Sequence, residues 1–370
     1  MIQRRNGVDQ VVQQGEQGLG KPGREKKLKF PFLIPSGSTL LNLACSDTAD
    51  GAFVPGSLIN IVGDSSAGKT FLLWTIFAEV LHRLAKHNYE PIYDEPERAF
   101  FFDTEKLFGE KIKQVTVFDP SSSIIQEWYV NVMKILAKKI PVVYGLDSFD
   151  SLSSKEEKDR GQKMLKKAIR EKDGDPEIEE EKERGSYKTE KAKWMSEILR
   201  NITEGIESTK SLVAIISQTR QNIGVSFGDS KVRAGGDALR FYSSHEVWLS
   251  VRSHIKRKER DVGVEVLARL KKNKLTGKLR QVGFPIYFDY GIDDTGSCVD
   301  WLIAEGKWIK ERGKSIVQTG DPRFPDSSRD KLISHIEDNG LLKDLQSVVQ
   351  DVWRAIEQEI ATGRKPKYEM

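Results

Sequence analysis

The chain has 370 residues, 38% of them hydrophobic and 31% charged, enough to bury a large core with smaller additions. Its net charge of +4 permits a polyanionic partner without requiring one. No apolar run approaches the roughly 18 residues of a membrane span, no apolar signal core follows Met1-Ile2-Gln3-Arg4-Arg5, and two cysteines cannot build a disulfide framework, so a cytoplasmic protein of a reducing compartment is expected.

Residues 1–34 are polar and glycine-bearing and carry the basic run Arg24-Glu25-Lys26-Lys27-Leu28-Lys29, which reads as a flexible arm. Over 35–290, apolar strand-like runs alternate with helical periodicity. Strands are expected at 58–62, 90–93, 114–118, 141–146, 212–217, 246–251, 264–270 and 282–288, and helices at 71–84, 124–138 and 190–206. Such alternation predicts an α/β fold with a mostly parallel twisted sheet flanked by helices. The stretch 155–185 is almost solidly charged with balanced signs, as expected of a solvated helix or a disordered insertion. Residues 291–370 read as a small C-terminal α/β domain. Its last helix carries Leu345, Val348, Val349, Val352, Trp353 and Ile356 on one face.

Residues Gly63-Asp64-Ser65-Ser66-Ala67-Gly68-Lys69-Thr70 match the phosphate-loop pattern G-x-x-x-x-G-K-[ST]. An apolar strand precedes the loop and a helical pattern follows it, so backbone N–H groups and a helix N-terminus can surround phosphate oxygens. In such a loop Lys69 holds the outer phosphates and Thr70 a magnesium ion. Hydrolysis needs a second carboxylate near the metal. Asp147 ends the apolar run 141–146, which places it at the carboxyl edge of the sheet, where open α/β folds bind ligands. For the acid that positions water, Glu97 and Glu105 compete, and neither spacing nor polarity separates them.

The segment Gln218-Thr219-Arg220-Gln221-Asn222-Ile223-Gly224-Val225-Ser226-Phe227-Gly228, continuing through Gly235-Gly236-Asp237-Ala238-Leu239-Arg240-Phe241-Tyr242-Ser243-Ser244, resembles the second DNA-binding loop and signature of the bacterial RecA recombinase family. Leu270-Lys271-Lys272-Asn273-Lys274 is similar to that family's K-N-K segment. The resemblance implies a RecA-like P-loop ATPase core that uses ATP and Mg²⁺, the metal held by Thr70 and Asp147 largely through water. It also implies Gln218 as a γ-phosphate sensor, with Lys272 and Lys274 acting on a neighbouring subunit's nucleotide. The position of Glu97 relative to the phosphate loop fits the family's glutamate better than that of Glu105.

For DNA, the resemblance implies contacts from Ser196, Arg200, Arg220, Ile223, Gly224, Phe227, Lys231, Arg233, Gly235 and Gly236, with Ile223 wedged between base steps. The expected partners are single-stranded DNA, homologous duplex DNA and further copies of the chain in a helical filament. A closed-ring helicase and a mediator that uses ATP structurally are the rival readings. The chain also departs from the family. Tyr187-Lys188 stands where a wedge methionine is expected, no polymerisation helix is visible in residues 1–30, and His245-Glu246 replaces an aliphatic residue and an arginine.

Overall fold

A computed structural model describes residues 31–172, 187–221, 231–233, 236–311, 313–364 and 368 of the chain. The arm at 1–30, residues 173–185 of the charged insertion, and Ile223, Gly224, Phe227 and Gly235 lie outside the described residues.

Ten strands form one sheet in the order β10-β9-β8-β7-β1-β5-β4-β2-β3, with β6 paired to β5. The strands are β1 (Ser57–Gly63), β2 (Glu90–Asp94), β3 (Thr116–Val117), β4 (Val142–Leu146), β5 (Leu212–Gln221), β6 (Lys231–Arg233), β7 (His245–Arg257), β8 (Arg260–Asn273), β9 (Gln281–Tyr287) and β10 (Gly291–Ile292). From β7 through β1, β5, β4 and β2 to β3 every pairing is parallel. The meander β7-β8-β9-β10 is antiparallel.

The central strands are apolar on both faces because helices cover both. On one side lie α1 (Thr39–Ser46), α2 (Lys69–Arg83), α8 (Asp294–Ala304) and α10 (Leu342–Glu359), with Ile59, Ile61, Val247 and Leu249 turned toward them. On the other lie α4 (Ile125–Leu136), α6 (Tyr187–Thr209) and α7 (Gly236–Tyr242), over Leu58, Tyr144, Val213 and Ile215. In α2 the spacing of Leu72, Leu73, Ile76 and Phe77 buries all four completely, and each such side chain contributes about 1.5–3 kcal/mol. This helix rests directly on β4: a Cβ at Gly145 would stand 2.6 Å from Leu73 Cδ2.

The expected elements are present, with differences that have physical causes. Residues 114–118 give only the short β3, because Glu110–Gln114 winds into a 3₁₀ turn that buries Ile112. Strand β5 runs on to Gln221 because β6 supplies it with an antiparallel partner. Strands β7 and β8 overrun their apolar cores as a hairpin, and residues 250–254 of β7 are exposed. The charged stretch forms helix α5 (Lys155–Lys172), on which Met164, Leu165 and Ile169 are exposed. The short helix α3 (Thr104–Phe108) follows β2.

Beyond β10, α8, α9 (Arg329–Asp338) and α10 accompany a three-stranded antiparallel sheet of Ile309–Lys310, Ile316–Gln318 and Ser327–Ser328. Helix α10 is fastened at its far end by Arg280, which meets Glu357 and Asp47 at 2.6 Å each and lies 5.1 Å over the Trp353 ring.

Candidate nucleotide-binding site

Strand β1 ends at Gly63, and the chain turns through Ser66 (φ 62°) and Gly68 (φ +84°) into α2. Only glycine suits position 68. The left-handed backbone disfavours side chains, and a Cβ there would lie 2.7 Å from Ile286 Cδ1. Lys69 opens the helix and folds back so that its ammonium donates to the Asp64 carbonyl at 2.6 Å, inside the curl of the loop. Burial lowers its pKa, and the carboxylates of Asp147, Glu97, Asp64 and Asp150 oppose that shift.

Asp147 follows the last residue of β4. One of its oxygens accepts from Thr70 Oγ1 at 2.5 Å and from the Tyr93 hydroxyl at 3.1 Å. Desolvation raises its pKa, while the Thr70 and Tyr93 hydrogen bonds pull it down. A hydroxyl beside a carboxylate, both next to a buried ammonium, is the hard-oxygen pair a magnesium ion takes.

Glu97 reaches the same cluster from the segment after β2. Its Oε1 accepts from Ser148 Oγ (2.6 Å), Ser151 Oγ (3.0 Å) and Gln218 Nε2 (3.2 Å). Gln218 arrives because β5 runs parallel to β1 in a register that sets it opposite Gly63. Its backbone N–H donates to Asp150 at 2.7 Å, and Thr219 hydrogen-bonds Asp64 through its hydroxyl. Glu105 sits instead on α3, paired with the exposed Lys113 at 2.8 Å. Lys69, Thr70, Asp147, Glu97 and Gln218 are thus gathered at one sheet edge. Sequence reasoning missed Tyr93, Ser148, Asp150 and Ser151, and only their nearness to Asp147 along the chain or in the sheet could have flagged them.

Lys272 and Lys274 stand at the opposite edge. Lys274 N donates to the Ser244 carbonyl, and Ser244 N donates to the carbonyl of Leu58 at the start of β1. Leu58 and Gly63 are separated by roughly 16 Å of strand. Both ammoniums donate to the carbonyl of Phe241 at the end of α7, Lys272 at 2.9 Å and Lys274 at 3.1 Å. Burial, and then the charge of Lys274, lower the Lys272 pKa to about 8.

Of the residues assigned to DNA, Ser196 is half-buried and Arg200 exposed, both on α6. Arg220 is largely exposed and lies 3.6 Å from Asp150. Lys231 and Gly236 are placed in β6 and α7. Arg233 is not presented to solvent: its side chain is 6% exposed and paired with Glu246 at 3.0 Å. Among the described residues no group of three or more His, Cys, Asp or Glu side chains could hold a metal by itself, and no helix is long and apolar enough to cross a membrane.

The family model described as the RecA N-terminal domain matches residues 173–293. The chain is 28% identical to Protein RecA of Thermus thermophilus over 343 residues, covering 90% of this chain and 88% of that one. It is 26% identical to Protein RecA of Geobacter sulfurreducens over 357 residues, covering 95% and 96%. A mitochondrial DNA repair protein recA homolog of Dictyostelium discoideum is 27% identical over 306 residues, 81% of this chain but 61% of its own length.

Proposed function

Because the chain is a divergent member of the RecA family, we propose that this ATP hydrolase of recombination and repair assembles with ATP on single-stranded DNA and promotes homologous pairing and strand exchange. The loop 63–70 binds the triphosphate, its N–H groups and Lys69 meeting the phosphate oxygens. Thr70 and Asp147 would hold Mg²⁺, which supplies positive charge against the charge developing on the phosphates. Glu97, held by Ser148 and Ser151, orients and deprotonates the attacking water. Gln218 bridges that acid and the segment that leads into the DNA loop, so loss of the outer phosphate is felt at the start of the loop.

Lys272 and Lys274 cannot serve their own chain's phosphates from the far end of β1, and they complete the site of a neighbouring copy. Cations that arrive only when a neighbour docks make hydrolysis depend on assembly. Ile223 and Phe227 would part base steps while Arg200, Arg220 and Lys231 meet phosphates, giving binding that is sequence-blind and salt-sensitive.

The observation that carries this reading is the convergence of Glu97 and Gln218 on the Lys69–Thr70–Asp147 cluster. The test is ATP hydrolysis with and without single-stranded DNA, followed by negative-stain microscopy of protein, DNA and a slowly hydrolysed ATP analogue. Stimulated turnover and filaments are expected. Equal DNA binding with and without nucleotide, together with no hydrolysis, would refute the proposal; closed rings that unwind duplex would replace strand exchange with helicase action.

A further inference from the structure

Arg233 ends β6, the antiparallel partner of β5, and its guanidinium is buried against Glu246 on β7. Glu246 and Trp248 share the face of β7 opposite to Val247 and Leu249, since successive strand residues alternate sides. One oxygen of Glu246 accepts from Arg233 and the other from Trp248 Nε1 at 2.7 Å. The Lys271 ammonium lies 3.8 Å over the Trp248 ring, and Glu246 is in register with Lys272 on β8. A continuous chain of contacts therefore runs from residues 231–233 to residues 271–274. It passes through the buried Glu246.

Stability does not explain this arrangement. A buried ion pair is often no more stabilising than apolar side chains of the same volume, whereas fixing a register or switching between arrangements is the best-attested use of one. The two ends of the chain are informative. Strand β5 carries Gln218, which touches the acid of the candidate nucleotide site, and its antiparallel partner β6 holds Arg233. The other end carries the two lysines that meet the C-terminal carbonyls of α7.

We propose that Arg233, Glu246 and Trp248 are positioning residues that carry the state of the paired strands β5 and β6 to Lys272 and Lys274, setting how those lysines reach a neighbouring copy's nucleotide once single-stranded DNA is held. The inference rests on the trans role given to the lysines above. Glu246 acts on Lys272 by charge as well as by position: burial and Lys274 lower the Lys272 pKa, and Glu246 counters them. Movement of the Arg233–Glu246 pair is therefore transmitted to Lys272 through its strand pairing with Glu246.

The decisive variant is the double replacement Arg233→Met with Glu246→Leu, which removes both charges together and takes the acceptor only from the half-buried Trp248 indole N–H. Melting temperature, DNA-independent hydrolysis, KM for ATP and affinity for single-stranded DNA should stay close to those of the unmodified protein, while the DNA-stimulated kcat falls about tenfold, the scale of a coupling free energy. The swap Arg233→Glu with Glu246→Arg should recover part of that loss. If the double variant does not fold, Trp248→Phe takes its place: it deletes the indole donor, keeps a ring beneath Lys271, and should lower the stimulated kcat severalfold. A folded double variant, or a Trp248→Phe protein, with full stimulation overturns the inference while leaving the ATPase reading intact. Unmodified protein that shows no DNA stimulation refutes that reading, and the inference falls with it.

Discussion

The two edges of the central sheet are built on different principles. At the carboxyl edge, side chains from four segments are hydrogen-bonded in two adjoining sets, Thr70 with Asp147, and Glu97 with Ser148 and Gln218, so the candidate nucleotide site is built from side chains that hold one another. At the amino edge, the ammoniums of Lys272 and Lys274 donate to backbone carbonyls of α7, at a helix end where cations are welcome. Preorganised groups can stabilise a transition state without rearranging. Groups parked on carbonyls can leave when a stronger anion arrives. The contrast suggests a division of labour: one edge fixes the chemistry and the other makes it conditional on a neighbour.

The strongest way to break this picture is Lys69→Ala. Hydrolysis measured by phosphate release should fall by on the order of a hundredfold or more, and nucleotide-dependent assembly on DNA should be lost. Glu97→Gln should lower kcat by on the order of a hundredfold with little change in KM, while Glu105→Gln keeps nearly full turnover; the opposite result would move the acid to α3.

The division between edges is sharpened by mixing two inactive proteins, Lys69→Ala and Lys272→Ala. If the site forms between copies, a random equal mixture regains activity at about a quarter of its interfaces, as expected for a heterologous head-to-tail contact. No recovery in assemblies shown to contain both proteins would refute a site shared between copies. The smallest effect concerns pH. With its pKa lowered to about 8, Lys272 keeps its positive charge below that value and loses it as pH rises through it. DNA-stimulated turnover should therefore decline above about pH 8 and persist in Lys272→Arg, whose guanidinium stays charged.

Much of the carboxyl edge was legible in the sequence because its chemistry is local. The glycine loop, the strand before it and the helix after it are consecutive, and Asp147 ends its own strand. Glu97 was not legible from spacing alone. What distinguishes it from Glu105 is a set of contacts to Ser148, Ser151 and Gln218 that only the folded sheet brings together. Arg233 illustrates the opposite failure. Its charge and its place beside a glycine-rich loop suggested a solvent-facing phosphate contact, whereas its partner lies 13 residues away on another strand. The hairpin of β7 and β8 outran its expected span because exposed strand residues carry no apolar period. The 3₁₀ turn at Glu110–Gln114 was hidden because Ile112 and Val115 fit a strand pattern as well as a tight turn.

The bare backbone of Gly145 beneath Leu73 has a consequence for how the enzyme could be damaged or tuned. The helix that bears Lys69 and Thr70 is seated on the strand that delivers Asp147, with no room for even one methyl group between them. That seat works as a gauge block for the machinery above it. A shim as thin as alanine would force Leu73 or Phe77 to shift, so the alignment of Lys69 and Thr70 with Asp147 depends on how far those two side chains can give way.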